Sequence, residues 1–291
     1  MIPFLYYNKS HVFHAPQGSH PECPARVETI VRHIAPHVEA GRVNMKTFHF
    51  DISEFGEVPP PSWTLADGDT YETPYTKEIL RVSDHMIRNA IMDLSVNNTQ
   101  MAFVLCRPPG HHAADRPNGF CHRNNAWTAV EALRGRGFRH IAIYDWDAHH
   151  GDGTQKLVES HNYPGVRFAS SHAFGAGVYP YSGKALETHN VLNVPLPVDT
   201  RSDELINKFD KKILPFLTAD EKPDVFIVSA GYDGHTDDPM RLLRFDTWMY
   251  EILSNKIKQL ECPVLFLLEG GYNPHILADC VEATLVPWMR I

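Results

Sequence analysis

Asp145, Asp147, His149, His150 and Asp152 place five ionisable side chains within eight residues, and Gly151 and Gly153 let the chain turn away. Asp and neutral His are ordinary ligands of divalent transition metals, zinc among them. Asp145, Asp147 and His149 also alternate. They follow Arg139 to Tyr144, an apolar run that reads as a buried strand. In an extended backbone alternate side chains share a face. The pattern therefore predicts a strand end that aims two carboxylates and an imidazole at one place. Capping and turning at a strand-to-helix junction need one Asp and one Gly, not this many charged groups.

Other stretches carry chemistry of the same kind. Met101 to Cys106 reads as a second buried strand and runs into Arg107-Pro108-Pro109-Gly110-His111-His112. Two histidines on a rigid turn make a poor core element and suit general acid–base work. Pro223 to Ser229 ends in Ala230-Gly231-Tyr232-Asp233, and Cys262 to Leu268 ends in Glu269-Gly270-Gly271-Tyr272. His20, Glu22 and Arg26 fit the dressing of a helix start. Asp67-Gly68-Asp69 fits a surface turn in a long loop over 51–75.

The elements that must position these groups can be read from periodicity. Val27, Ile30, Val31, Ile34 and Val38 recur at helical spacing, with Pro36 expected to end or kink that helix. Further helices are expected over 76–95, 126–134, 154–160, 202–217 and 245–260, with a last one closing the chain. Strands are expected near Met1–Tyr7, at 165–172 and at 191–194. Continuous apolar strands alternating with helices predict an α/β fold, a mostly parallel sheet covered on both faces. No repeat or linker interrupts the pattern, so residues 1–291 are expected to form one domain. Ligands of such sheets bind beyond the carboxyl ends of the strands. That edge is where His111, Asp147, Asp233 and Tyr272 all fall.

Composition narrows the function classes. The chain has 291 residues, 43% hydrophobic and 21% charged, with a net charge of −8. That charge argues against a general nucleic-acid binder and mildly suits a cationic substrate. No apolar run is long enough to cross a membrane, and the N-terminus lacks the features of a signal peptide. Cys23, Cys106, Cys121, Cys262 and Cys280 are scattered and form no C-x-x-C pair. Neither a disulfide framework nor a cysteine zinc site is expected, and a reducing cytoplasm is the simplest setting.

Taken together, His20-Pro21-Glu22-x-Pro24-x-Arg26, Arg107-Pro108-Pro109-Gly110-His111-His112, Gly119-Phe120-Cys121-x-x-Asn124-Asn125, Asp145-x-Asp147-x-His149-His150-Gly151-x-Gly153-Thr154-Gln155, Ser229-Ala230-Gly231-Tyr232-Asp233 and Glu269-Gly270-Gly271-Tyr272 resemble the motifs of one family. It is the zinc-dependent histone deacetylase and acetylpolyamine amidohydrolase family, with its arginase–deacetylase fold. The motifs run in family order over nearly the whole chain. The resemblance implies a catalytic zinc held by Asp147, His149 and Asp233. It implies that Asp145 accepts a hydrogen bond from His111 and helps hold a structural potassium ion with backbone groups near Ser170. Asp152 would orient His112. His112, with His111, would handle protons, and Tyr272 would donate to the oxyanion. Gly119 and Phe120 would form one wall of a narrow channel and Tyr179 the opposite wall, where the family usually has Phe. Asp69 would grip the substrate outside the channel. The implied partner is an acylated amine, either acetyl-lysine in a protein or peptide or an acetylpolyamine.

Two other readings compete. One is an arginase-like binuclear manganese hydrolase on the same fold. Its second metal would want a carboxylate two residues beyond Asp233, where the chain has His235. The other is a non-catalytic protein that binds acyl-lysine, against which every expected catalytic position is filled.

Overall fold

Apolar residues run without interruption through the central strands, so both faces of each strand must be covered. The computed structural model describes residues 2–16, 18–51, 64–96, 99–219 and 221–289. It begins with β1 (Phe4–Asn8), α1 (Ala25–Glu39) and β2 (Asn44–Phe48). A short hairpin, β3 (Thr64–Leu65) and β4 (Tyr71–Glu72), leads to α2 (Thr76–Val96). Then come β5 (Met101–Val104), α3 (Asn125–Gly135), β6 (Ile141–Asp145), α4 (Asp152–His161) and β7 (Val166–Ala173). The second half holds β8 (Leu186–Glu187), β9 (Val191–Leu196), α5 (Ser202–Lys208), α6 (Leu214–Leu217), β10 (Val225–Ala230), α7 (Thr247–Lys258), β11 (Val264–Leu268) and α8 (Pro274–Leu285).

Nine strands form one sheet in the order β2-β1-β5-β11-β10-β6-β7-β9-β8. Every pairing in it is parallel except β8 with β9 at the edge. Strand alternation sends neighbouring residues to opposite cores. Tyr144 and Phe266 pack on one side with Ile30 of α1, Met249 of α7 and Val281 of α8. Ile143 and Leu267 pack on the other with Ile87 of α2 and Val130 of α3. Each such side chain, removed from water, contributes about 1.5–3 kcal/mol. The fold is the α/β sandwich expected.

The differences are local. Pro36 does not end α1, which continues to Glu39. Pro36 forfeits the one bond its N–H would make to the Arg32 carbonyl, and the turn beyond it is still closed by the Ala40 N–H donating to the Pro36 carbonyl at 3.0 Å. Asp67-Gly68-Asp69 lies at the tip of the β3–β4 hairpin rather than in a featureless loop; residues 52–63 of that loop lie outside the described residues. The expected helix over 202–217 is interrupted between α5 and α6 by a wider turn at Phe209–Ile213. The five cysteines are free. Among the described residues no helix is long and apolar enough to cross a membrane.

Candidate active site

β5, β11, β10 and β6 are consecutive in the sheet. Their carboxyl ends lead to His111 and His112, Tyr272, Asp233, and Asp147 with His149 respectively. Parallel pairing in register keeps those ends level: Ser229 of β10 lies beside both Asp145 of β6 and Leu267 of β11. Residues far apart in sequence therefore meet at one edge.

β6 ends at Asp145, and Trp146 onward bends away instead of extending the strand. The three alternate side chains consequently do not act as one set. Asp147, His149 and Asp233 offer ligand atoms that all lie within 4.8 Å of one another, and Asp145 stands apart. Nδ1 of His149 is 3.1 Å from Oδ1 of Asp147 and 2.8 Å from Oδ2 of Asp233. That Oδ2 has no aligned hydrogen-bond donor among the described residues. Two wholly buried carboxylates and an imidazole this close fit a shared cation. Burial alone would lower the pKa of His149, but Asp233 and Asp147 outweigh it and push it up to about 10, so the cluster draws positive charge.

Backbone donors fix the carboxylates. The Ala148 N–H donates to Asp233 Oδ1 at 2.8 Å and the His149 N–H to Asp147 Oδ1 at 2.9 Å. The Gly270 N–H donates to Asp147 Oδ2 at 2.9 Å. A Cβ at Gly270 would lie 2.6 Å from that same oxygen, so only glycine permits the approach.

The histidine pair has the expected carboxylate partners. Nδ1 of His111 is 3.0 Å from Asp145 Oδ2, and Nδ1 of His112 is 2.6 Å from Asp152 Oδ1. Their rings are 4.0 Å apart, too close for both to carry charge. Burial opposes charge on His111, but Asp147 and Asp145 outweigh it and raise its pKa well above the ordinary value. Burial and then the neighbouring His111 lower His112 to about 4, against the pull of Asp152. A single positive charge on the pair is therefore favoured on His111, which leaves His112 neutral.

The Tyr272 ring meets the Phe120 ring edge-on at 5.9 Å. The Arg26 guanidinium lies 5.1 Å above it. Burial raises the phenol pKa well above 10, so its hydroxyl keeps its proton. Tyr179 lies edge-on to His112 at 5.0 Å and His149 at 6.2 Å. Its hydroxyl is buried without a hydrogen-bond partner among the described residues and presses on Gly119, where a Cβ would lie 2.5 Å from it. Phe120 adopts a left-handed φ of 68°. It is held by Thr70, whose Oγ1 accepts from the Phe120 N–H at 2.9 Å.

Several supporting residues escaped the sequence reading. Asp67, not Asp69, holds the Gly119 turn: its Oδ2 accepts from the Gly119 N–H at 3.1 Å, while Asp69 is exposed. The Asp-x-Asp-Thr spacing of a side-chain-capped turn is the signal that could have found it. Glu269 Oε2 accepts from the N–H groups of Gly110 at 2.6 Å and His111 at 3.1 Å. Burial pushes its carboxyl up to about 8. Asp238 Oδ2 accepts from the Tyr272 N–H at 2.7 Å. A cleft of about 700 Å³ opens beside Tyr272, lined by Asp238, Arg241, Arg244 and Asn273 among others. Glu22 and Arg26, read from local sequence as the dressing of a helix start, are buried. Glu22 pairs with Arg107 at 2.7 Å and Arg26 at 3.3 Å, and Arg26 Nε donates to the Gly271 carbonyl at 2.6 Å.

Comparison with known proteins bears on the family and the fold. Residues 20–286 match the family described as Histone deacetylase domain. An uncharacterised protein of Synechocystis is 32% identical over 97% of this chain and 98% of its own length. Histone deacetylase 14, chloroplastic, of Arabidopsis thaliana is 32% identical over 95% of this chain and 74% of its own. Acetylpolyamine amidohydrolase 1 of Pseudomonas aeruginosa is 36% identical over 59% of this chain and 51% of its own. The crystal structure of the HDA15 HD domain superposes with a TM-score of 0.85 at 26% identity, covering 98% of this chain and 87% of that one.

Proposed function

Because the chain belongs to the histone deacetylase family, we propose that it is a zinc-dependent amidohydrolase that removes an acetyl or other acyl group from an amine. One observation carries the reading. Asp147, His149 and Asp233 form a buried three-donor set, beside two histidines that each have a carboxylate of their own. Three protein donors leave a position open for water and substrate, as catalytic zinc requires.

When bound there, zinc would supply Lewis acidity toward the amide carbonyl and lower the pKa of its water. His112, neutral, takes the proton of the attacking water at its Nε2, because Nδ1 is committed to Asp152. Asp152 stabilises the imidazolium that forms. His111, held protonated beside Asp145, provides the positive field and the proton for the leaving amine. Tyr272 donates its hydroxyl to the developing oxyanion. Gly119, Phe120 and Tyr179 flank the acyl-bearing alkyl chain, and Asp69 meets the substrate outside. Asp145, wholly buried and in register beside Ser170, would also help hold a structural potassium ion.

The substrate class we favour is an acylated amine, acetyl-lysine or an acetylpolyamine, in keeping with relatives named for deacetylation of histones and acetylpolyamines. The arginase-like reading is weaker. Asp145 is committed to His111, and His235, two residues beyond Asp233, is turned to Thr247, 3.1 Å away. The test is a screen of the zinc-loaded protein against acetyl-lysine peptides, acetylpolyamines and longer acyl-lysines, ranked by kcat/KM. Turnover of one class is expected; zinc-loaded protein that hydrolyses none of them would favour the binding-protein reading.

A further inference from the structure

A second group of potential ligands lies behind the histidine pair. Ligand atoms of His111, Cys121 and Glu269 also fall within 4.8 Å of one another, and all three residues are buried. Tetrahedral zinc with N, O and S donors spaces its ligands about 3.5 Å apart, so small side-chain shifts close the set. Nδ1 of His111 is taken by Asp145, which leaves Nε2. One oxygen of Glu269 is spent on the Gly110 and His111 N–H groups. The other, Oε1, has no partner among the described residues although the residue is wholly buried. A carboxylate that only braced the Gly110–His111 turn would need one oxygen, and an orphaned buried acceptor costs free energy.

We propose that His111, Cys121 and Glu269 form a second, inhibitory site for a thiophilic divalent cation such as zinc. Imidazole, thiolate and carboxylate together neutralise a divalent ion and match the softness of zinc or cobalt rather than magnesium or calcium. Binding displaces the thiol proton of Cys121, the Nε2 proton of His111 and any proton on Glu269 to solvent, so occupancy rises with pH. Occupancy takes Nε2 of His111 out of proton transfer. That nitrogen is 3.8 Å from Asp147 Oδ1, so the two sites share a border. The inhibition rests on the proton-handling role proposed for His111; the binding does not.

The two sites differ in one spectroscopic property. Only the second contains a thiolate, and thiolate–cobalt(II) charge transfer absorbs in the near ultraviolet. Cobalt(II) is titrated into protein already holding one equivalent of metal, with absorbance and activity read together. A second equivalent should bring the charge-transfer band and a parallel loss of activity. Cys121→Ser should keep basal activity, lose the band, and require at least about tenfold more cobalt for inhibition. Glu269→Gln should weaken the second equivalent, with the band as readout. Inhibition without the band, inhibition unchanged in Cys121→Ser, or no second equivalent overturns the site. None of these outcomes touches the first equivalent at Asp147, His149 and Asp233, whose failure would instead appear as an absence of metal-dependent hydrolysis.

Discussion

His112 Nδ1 and Asp152 Oδ1 stand 2.6 Å apart, a tighter contact than the 3.0 Å between His111 and Asp145. The closer partner belongs to the histidine whose pKa is nonetheless driven down, to about 4. Burial and the neighbouring His111 decide the outcome, and Asp152 orients the ring more than it charges it.

The sign of the pH dependence follows. His112 must be neutral to act as base, so kcat/KM should fall as pH drops through its apparent value. A bell-shaped profile is expected from a base and an acid that titrate as a coupled pair, with the acid limb governed mainly by His112. His112→Ala should lower kcat by about 10²–10⁴-fold with metal retained. Asp152→Asn removes a group that raises the His112 pKa, so the acid limb should move to lower pH while kcat falls about 10–100-fold. An acid limb that moved up would contradict this assignment.

Metal content tests the three-donor set. Asp147→Ala, His149→Ala and Asp233→Ala should each lose zinc and activity together. Elemental analysis should find one zinc at the active stoichiometry; two manganese ions per active chain would restore the binuclear reading.

Tyr272→Phe separates turnover from binding. The phenol is held by Arg26 over its ring and by the Asp238 carboxylate on its N–H. Removing only the hydroxyl should leave zinc content, KM and Tm nearly unchanged. The kcat should fall about 10²–10³-fold, the scale of one lost oxyanion donor. A variant of full activity would remove Tyr272 from the mechanism.

Glu22 is a stability prediction. Burial alone would raise its carboxyl, but Arg107 and Arg26 outweigh burial and hold it at about 2, below its ordinary 4.5. A depressed carboxyl contributes stability that is complete above its unfolded value and lost as pH falls through the folded one. Glu22→Gln strands two buried guanidinium groups and should cost about 3–5 kcal/mol at neutral pH. The gap in Tm between wild type and variant should narrow from pH 4.5 toward pH 2. A gap independent of pH would mean that packing, not charge, accounts for the loss.

The sequence by itself determined the architecture and singled out the candidate reacting groups. Uninterrupted apolar strands such as Val225–Ala230 and Val264–Leu268 can be satisfied only by a sheet covered on both faces. A parallel sheet delivers every strand's trailing residues to one edge, so Asp147, His149, Asp233, His111, His112 and Tyr272 were legible as a set. The tertiary structure decided which of these groups pair with which. Spacing alone grouped Asp145 with Asp147 and His149, while the family resemblance already paired Asp145 with His111 and put Asp233 in the three-donor set; the bend after Asp145 is the physical reason the spacing misleads. Glu22, Asp67, Asp238 and Glu269 looked like ordinary charged or turn residues. Their roles rest on burial and on partners in distant segments, and nothing in local spacing encodes those. A side chain's chemistry is written in its type, but its pKa and its partner depend on what the folded chain packs against it.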